Sequence, residues 1–260
     1  MKENQDMRMW STTATGFSNL IGDFARMGIY SSNVHILAER LKEHNLFPVR
    51  DFKQHFKNQK PDLFISYDWK TNFIDLQVAV WSGLDFIALF LADKYPYHDI
   101  EQLIAHEITI WVDFMFIDQN SRDIKSELAS VLPAVINSSD IHFVLSPTAL
   151  QRAWCCYELG LFNKRFCHES PGLYSFLTPA MLNYAGWREA ATTNPTDKIE
   201  LEKKIVENFP GESFDFMMMQ ASVQSDLYYE KINTIQSQLA IEHAVKAAEK
   251  WIKRMDEKFQ

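Results

Sequence analysis

Three short, almost wholly apolar segments, Leu63 to Tyr67, Ile108 to Val112 and Ile141 to Leu145, alternate with stretches whose apolar residues recur at helical spacing. This alternation constrains the fold more than any other feature. A strand covered by helices on both faces has no polar side, so it reads as a run of β-formers rather than as an in-out pattern. Between the first two strands, Phe73, Leu76, Val80 and Leu84 predict a helix from Phe73 to about Trp81. Gly83 is expected to break it before the apolar Phe86 to Ala92 stretch. Ile124 to Ile136 predicts a second helix, with Pro133 as a kink. Strands alternating with helices of this length predict an α/β domain with a doubly wound parallel sheet.

The flanks are read as helical. Residues 1–60 form an N-terminal extension in which Ser32 or Asn33 caps a helix through Ile36, Leu37 and Leu41, stopped by Pro48. The regular alternation fills residues 61–165, and the rest, 166–260, is a C-terminal part of the domain followed by a mainly helical extension. There Pro171, Pro179, Gly186 and Pro195 punctuate the chain, and Asp197 to Glu200 suits the start of a helix ending near Phe209. From Val223 to Phe259, apolar residues such as Ile241, Val245, Ala248, Ile252, Met255 and Phe259 predict a long helix. Its stripe would pack either on its own domain or on a second copy, since left in water it would be a large apolar surface.

Composition narrows the function. A net charge of -8 and a pI near 5.5 leave no broad phosphate-neutralising face, which argues against nucleic acid as a direct ligand. The three cysteines, Cys155, Cys156 and Cys167, suit neither a disulfide framework nor the C-x-x-C grip on zinc, so buried thiols in a reducing, cytoplasmic setting are expected, with no metal. No secretory leader is visible, and the Phe86 to Ala92 run is too short for a membrane anchor. Neither G-x-G-x-x-G nor a P-loop occurs, and His106-Glu107 is followed by Ile110 where a zinc-protease motif needs histidine. A nucleotide would have to be held otherwise.

In an open α/β sheet, ligands collect beyond the carboxyl ends of the strands. The loops starting at Tyr67-Asp68-Trp69-Lys70, at Asp113 and at Ser146 converge there. Tyr67, Trp69 and Trp154 could stack on flat heterocycles, and Lys70 or Arg152 could meet phosphates; packing and surface roles are the plain alternative for each.

Four motifs then occur in a particular order. They are Asp62-Leu63-Phe64-Ile65-Ser66-Tyr67-Asp68; Trp111-Val112-Asp113 with Ile117-Asp118; Ser138-Ser139-Asp140-Ile141-His142-Phe143-Val144-Leu145-Ser146; and Trp154-Cys155-Cys156-Tyr157-Glu158-Leu159. From about Pro61 to Lys164 this series resembles the Toll/interleukin-1 receptor (TIR) domain, in particular its bacterial stand-alone antiphage type. Trp111-Val112-Asp113 with Ile117-Asp118-Gln119 also resembles the TIR-like heterokaryon-incompatibility domains. The late second strand, after an insertion from about Leu84 to His106, departs from the pattern.

The resemblance implies a flavodoxin-like parallel sheet flanked by helices, and cleavage of the nicotinamide-ribose bond of NAD+ as glycohydrolase or ADP-ribosyl cyclase, in an immune or antiphage response. It implies Glu158 as the catalytic residue and Ser66, Tyr67, Asp68, Trp69, Lys70, Asp113 and Trp154 as substrate-binding. NAD+ is then a substrate, with no resident cofactor. Self-association through TIR surfaces and a downstream effector responding to a nucleotide product are implied partners. A non-catalytic TIR scaffold and a nucleoside deoxyribosyltransferase-like enzyme are the competing readings. The resemblance also predicts a loop from Ser146 to about Arg152 and a helix starting near Ala153, because a helix starting at Pro147 would carry Glu158 about 16 Å along its axis.

Overall fold

The structure is a computed structural model that describes residues 7–29, 33–92, 95–118, 120–146, 148–169, 175–177, 184–210, 214–215, 218, 246–254 and 257. The chain divides into two compact units. One comprises Met1–Ile65, Trp69–Asp140 and Val245–Gln260; the other comprises Ser66–Asp68 and Ile141–Ala244.

The first unit carries strands β1 (Ser11–Thr13), β2 (Phe56–Lys57) and β4 (Thr109–Trp111), and all but the last residue of β3 (Leu63–Ser66). β3 and β4 run parallel, pairing Leu63 with Ile110 and Phe64 with Trp111. β1 is antiparallel to both β4 and β2. These two strands come from the segment expected to be helical. No apolar run announces them: Ser11 and Thr12 are fully buried polar residues whose hydroxyls donate to the carbonyls of Gln59 (2.8 Å) and His55 (2.7 Å).

Its helices are α1 (Ala14–Arg26), α2 (Val34–Glu43), α3 (Pro48–Asp51), α4 (Phe73–Leu91), α5 (Tyr97–Gln102), α6 (Asp113–Phe116) and α7 (Ile124–Ser138). Asn33 caps α2, accepting a bond from the Ile36 amide. Pro48 opens α3 instead of closing α2, in keeping with proline at a first helical position. Gly83 does not break α4. Leu76, Val80, Leu84, Ile87 and Leu91 keep one buried stripe across it, and that burial outweighs a glycine cost of about 1 kcal/mol. Pro133 likewise sits inside α7. The expected insertion is filled by the end of α4, by α5 and by a π-helical turn, Leu103–Glu107.

Residues 246–254 are helical and packed on this unit, with Ala248 and Trp251 fully buried. Arg254 grips both carboxylate oxygens of Asp62 (2.9 and 2.7 Å), while Lys250 and the Trp251 indole donate to Asp140 (2.6 and 3.2 Å). The expected helix over 223–245, and Met255 and Phe259, lie outside the described residues, as do Pro147, Pro171 and Pro179.

The second unit holds β5 (Ile141–Val144), β6 (Ser175–Leu177), α8 (Ala153–Glu169) and α9 (Pro195–Asn208). β5 and β6 are parallel, with His142 opposite Ser175 and Val144 opposite Leu177. α9 is capped by Asn194, whose side chain accepts from the Thr196 amide, so the helix starts before Asp197. Between β5 and α8 the chain makes a loop with one 3₁₀ turn, Ala149–Gln151. α8 therefore starts at Ala153, as expected.

The described strands follow the order β2-β1-β4-β3-β5-β6. Within the first unit β3 is parallel to β4, and within the second β5 is parallel to β6. The fold is thus α/β with a mixed sheet, parallel at its core. Among the described residues no helix is long and apolar enough to cross a membrane.

Candidate functional site

In open α/β sheets, ligands bind beyond the carboxyl ends of the strands. Ser66 is the last residue of β3, and its carbonyl accepts the Leu145 amide just past the end of β5 (3.0 Å). α8 brings Glu158 to the same place. The Ser66 hydroxyl donates to Glu158 Oε2 in a short contact and lies 2.7 Å from His142 Nε2. His142 is fully buried, Ser66 is 1% exposed and Glu158 8%, so Glu158 is the most exposed of three buried residues.

Several local features hold Glu158 in position. The start of α8 is fixed by a bridge between Arg152 and Ala191, in which the Ala191 amide donates to the Gln151 carbonyl (2.7 Å) and the Ala153 amide to the Ala191 carbonyl (3.0 Å). Glu158, the sixth residue of α8, then lies about 8 Å along it. Behind it, Gly160 allows Phe214 to pack directly on the helix backbone; a Cβ at Gly160 would come within 2.3 Å of that ring.

The cysteines that precede Glu158 on α8 are buried. Burial pushes the Cys156 thiol up to about 12, helped by the Glu158 carboxylate, and it remains a thiol whose sulfur lies 3.3 Å from the Leu150 carbonyl. Cys155 is buried and donates to the Tyr67 carbonyl (3.3 Å). Burial pulls His142 down to about 3, so its ring is neutral across the physiological range. The order of bonds also separates this trio from a serine-hydrolase triad. There the imidazole lies between acid and hydroxyl; here the hydroxyl lies between imidazole and acid.

The other expected site residues fall into two groups. In the second unit, Asp68 is 4% exposed, accepting from Thr148 Oγ1 (2.8 Å) with Arg152 Nε 3.8 Å away. Tyr67, also 4% exposed, has its ring in the packed interior instead of offering a stacking face. Trp154 is half-buried, edge-on to Tyr157, with the Lys204 ammonium 5.8 Å from its ring centroid. In the first unit, Trp69 and Asp113, picked out separately, are bonded to each other through the indole N–H (2.9 Å). Lys70 is exposed.

His142, which the sequence analysis did not single out, is the residue that the structure adds beside Ser66 and Glu158. Its signal was present, as the one polar residue in the strand Ile141-His142-Phe143-Val144. Comparisons with protein-family models, with curated proteins and with solved structures found no match.

Proposed function

We propose that the protein is a TIR-type enzyme that cleaves the nicotinamide-ribose bond of NAD+ in an immune response, with Glu158 as its catalytic carboxylate. The observation that carries this reading is the Glu158 carboxylate accepting from the buried Ser66 hydroxyl, which in turn lies within hydrogen-bond distance of the buried His142 imidazole. The TIR-like order of motifs supports it.

The chemistry needs little more. The C1′–N bond breaks heterolytically, its electron pair stays on the nicotinamide nitrogen, and the leaving group departs neutral because NAD+ carries it as a pyridinium. No general acid has to protonate it, unlike the leaving oxygen of ordinary glycosidases. Positive charge develops on the ribose, where a preorganised carboxylate in a water-poor site stabilises it most. Water then adds to C1′ and loses a proton to give ADP-ribose, or an internal nucleophile closes the ring in the cyclase variant.

The non-catalytic scaffold reading draws on the burial of Glu158, which a purely structural residue would share. Nicotinamide release by purified, concentrated protein separates the two. The enzyme reading predicts release by wild type and a loss of about 10² to 10³ in Glu158→Gln, with folding intact by thermal melt. No release by wild type would favour the scaffold.

A further inference from the structure

Ser66 has one hydroxyl hydrogen, and it points to Glu158 Oε2, which as a carboxylate oxygen can only accept. The Ser66 oxygen is therefore the acceptor toward His142, and His142 Nε2, 2.7 Å away, must carry the hydrogen. The three groups form a one-way chain, Nε2–H to Oγ–H to carboxylate. Both donors are inside the fold, since His142 is 0% and Ser66 1% exposed, and the imidazole is braced against the Phe162 ring at 5.0 Å. A serine rotor alone can turn among several acceptors; one whose oxygen is engaged by a fixed N–H has its own hydrogen aimed.

We infer that His142 is a positioning residue that acts through the Ser66 hydroxyl to hold the Glu158 carboxylate in the orientation the reaction uses. This rests on the NAD+-cleaving reading above. It assigns Ser66 to holding the carboxylate instead of touching substrate, and it adds a residue on β5 to the site. The geometry also fixes the imidazole tautomer: a neutral ring with Nε2–H sustains the chain, whereas the Nδ1–H tautomer would reverse it and leave two acceptors facing each other.

The test uses a matched pair, His142→Gln and His142→Met. Both side chains are unbranched and of similar length, so they disturb the core alike, but only glutamine can donate to Ser66. With kcat and KM for nicotinamide release measured separately, Met should lower kcat by about 10- to 100-fold with KM nearly unchanged, as expected for a misplaced catalytic group. Gln should recover most of that loss. Equal losses in the two variants, no loss in Met, or a loss confined to KM would overturn the proposal. If wild type releases no nicotinamide, or Glu158→Gln matches it, the NAD+ reading fails by itself. The positioning chain is then judged on the unsubstituted protein by ¹⁵N NMR of His142. A neutral Nε2–H tautomer whose resonance shifts in Ser66→Ala is expected, and an imidazolium or an Nδ1–H tautomer contradicts it.

Discussion

At the scale of single residues, His142 links the site to stability. In the folded chain it stays neutral down to about pH 3, whereas an unfolded histidine takes a proton near 6.5. Between these values the unfolded state holds one more proton. Stability therefore falls as pH falls through this window, by about 1.4 kcal/mol per pH unit from this residue. Urea unfolding at pH 7, 6 and 5 should show His142→Gln with a flatter dependence than wild type; equal slopes would contradict a buried neutral imidazole. Glu158 was legible from its motif, because Trp154 and Leu159 frame it in the linear sequence. Its partners were harder to read. Ser66 and His142 lie 92 and 16 positions from Glu158, and only the arrangement of β3, β5 and α8 makes them one chain of bonds.

At the scale of elements, α8 and the C-terminal helical residues each yield a test. In an open helix, replacing glycine by alanine gains about 1 kcal/mol. Gly160→Ala should instead destabilise by about 1 to 3 kcal/mol, because the new methyl meets Phe214, which is itself packed against Phe209 (4.9 Å) and Trp187 (5.8 Å). A raised melting temperature would refute that packing. Arg254→Met should cost about 2 kcal/mol, less than a fully buried pair because Arg254 is a third exposed, by leaving the buried Asp62 carboxylate without its bidentate partner. Unchanged stability would mean that 246–254 do not anchor there. Strands and helices with a strong apolar period were readable: β3, β4, β5, α2 and α7 appear within a few residues of their expected limits. β1 and β2 were not, because strands of three and two residues with buried polar side chains present no period, and their identity rests on pairing with distant partners.

At the scale of the whole molecule, the candidate site is built without a glycine-rich nucleotide loop, from Ser66, His142 and Glu158 of the second unit. The alternation of segments made the α/β class readable. The antiparallel edge of the sheet depended on tertiary pairing that no local pattern encodes. The proposed role of Glu158 in NAD+ cleavage is decided by following NAD+ consumption with all products resolved, for wild type and Glu158→Gln at equal concentration. One nicotinamide should be released per NAD+ consumed, with ADP-ribose or a cyclic isomer formed in equal amount, and turnover should be about 10² to 10³ lower in the variant. Equal turnover in two equally folded proteins would contradict it.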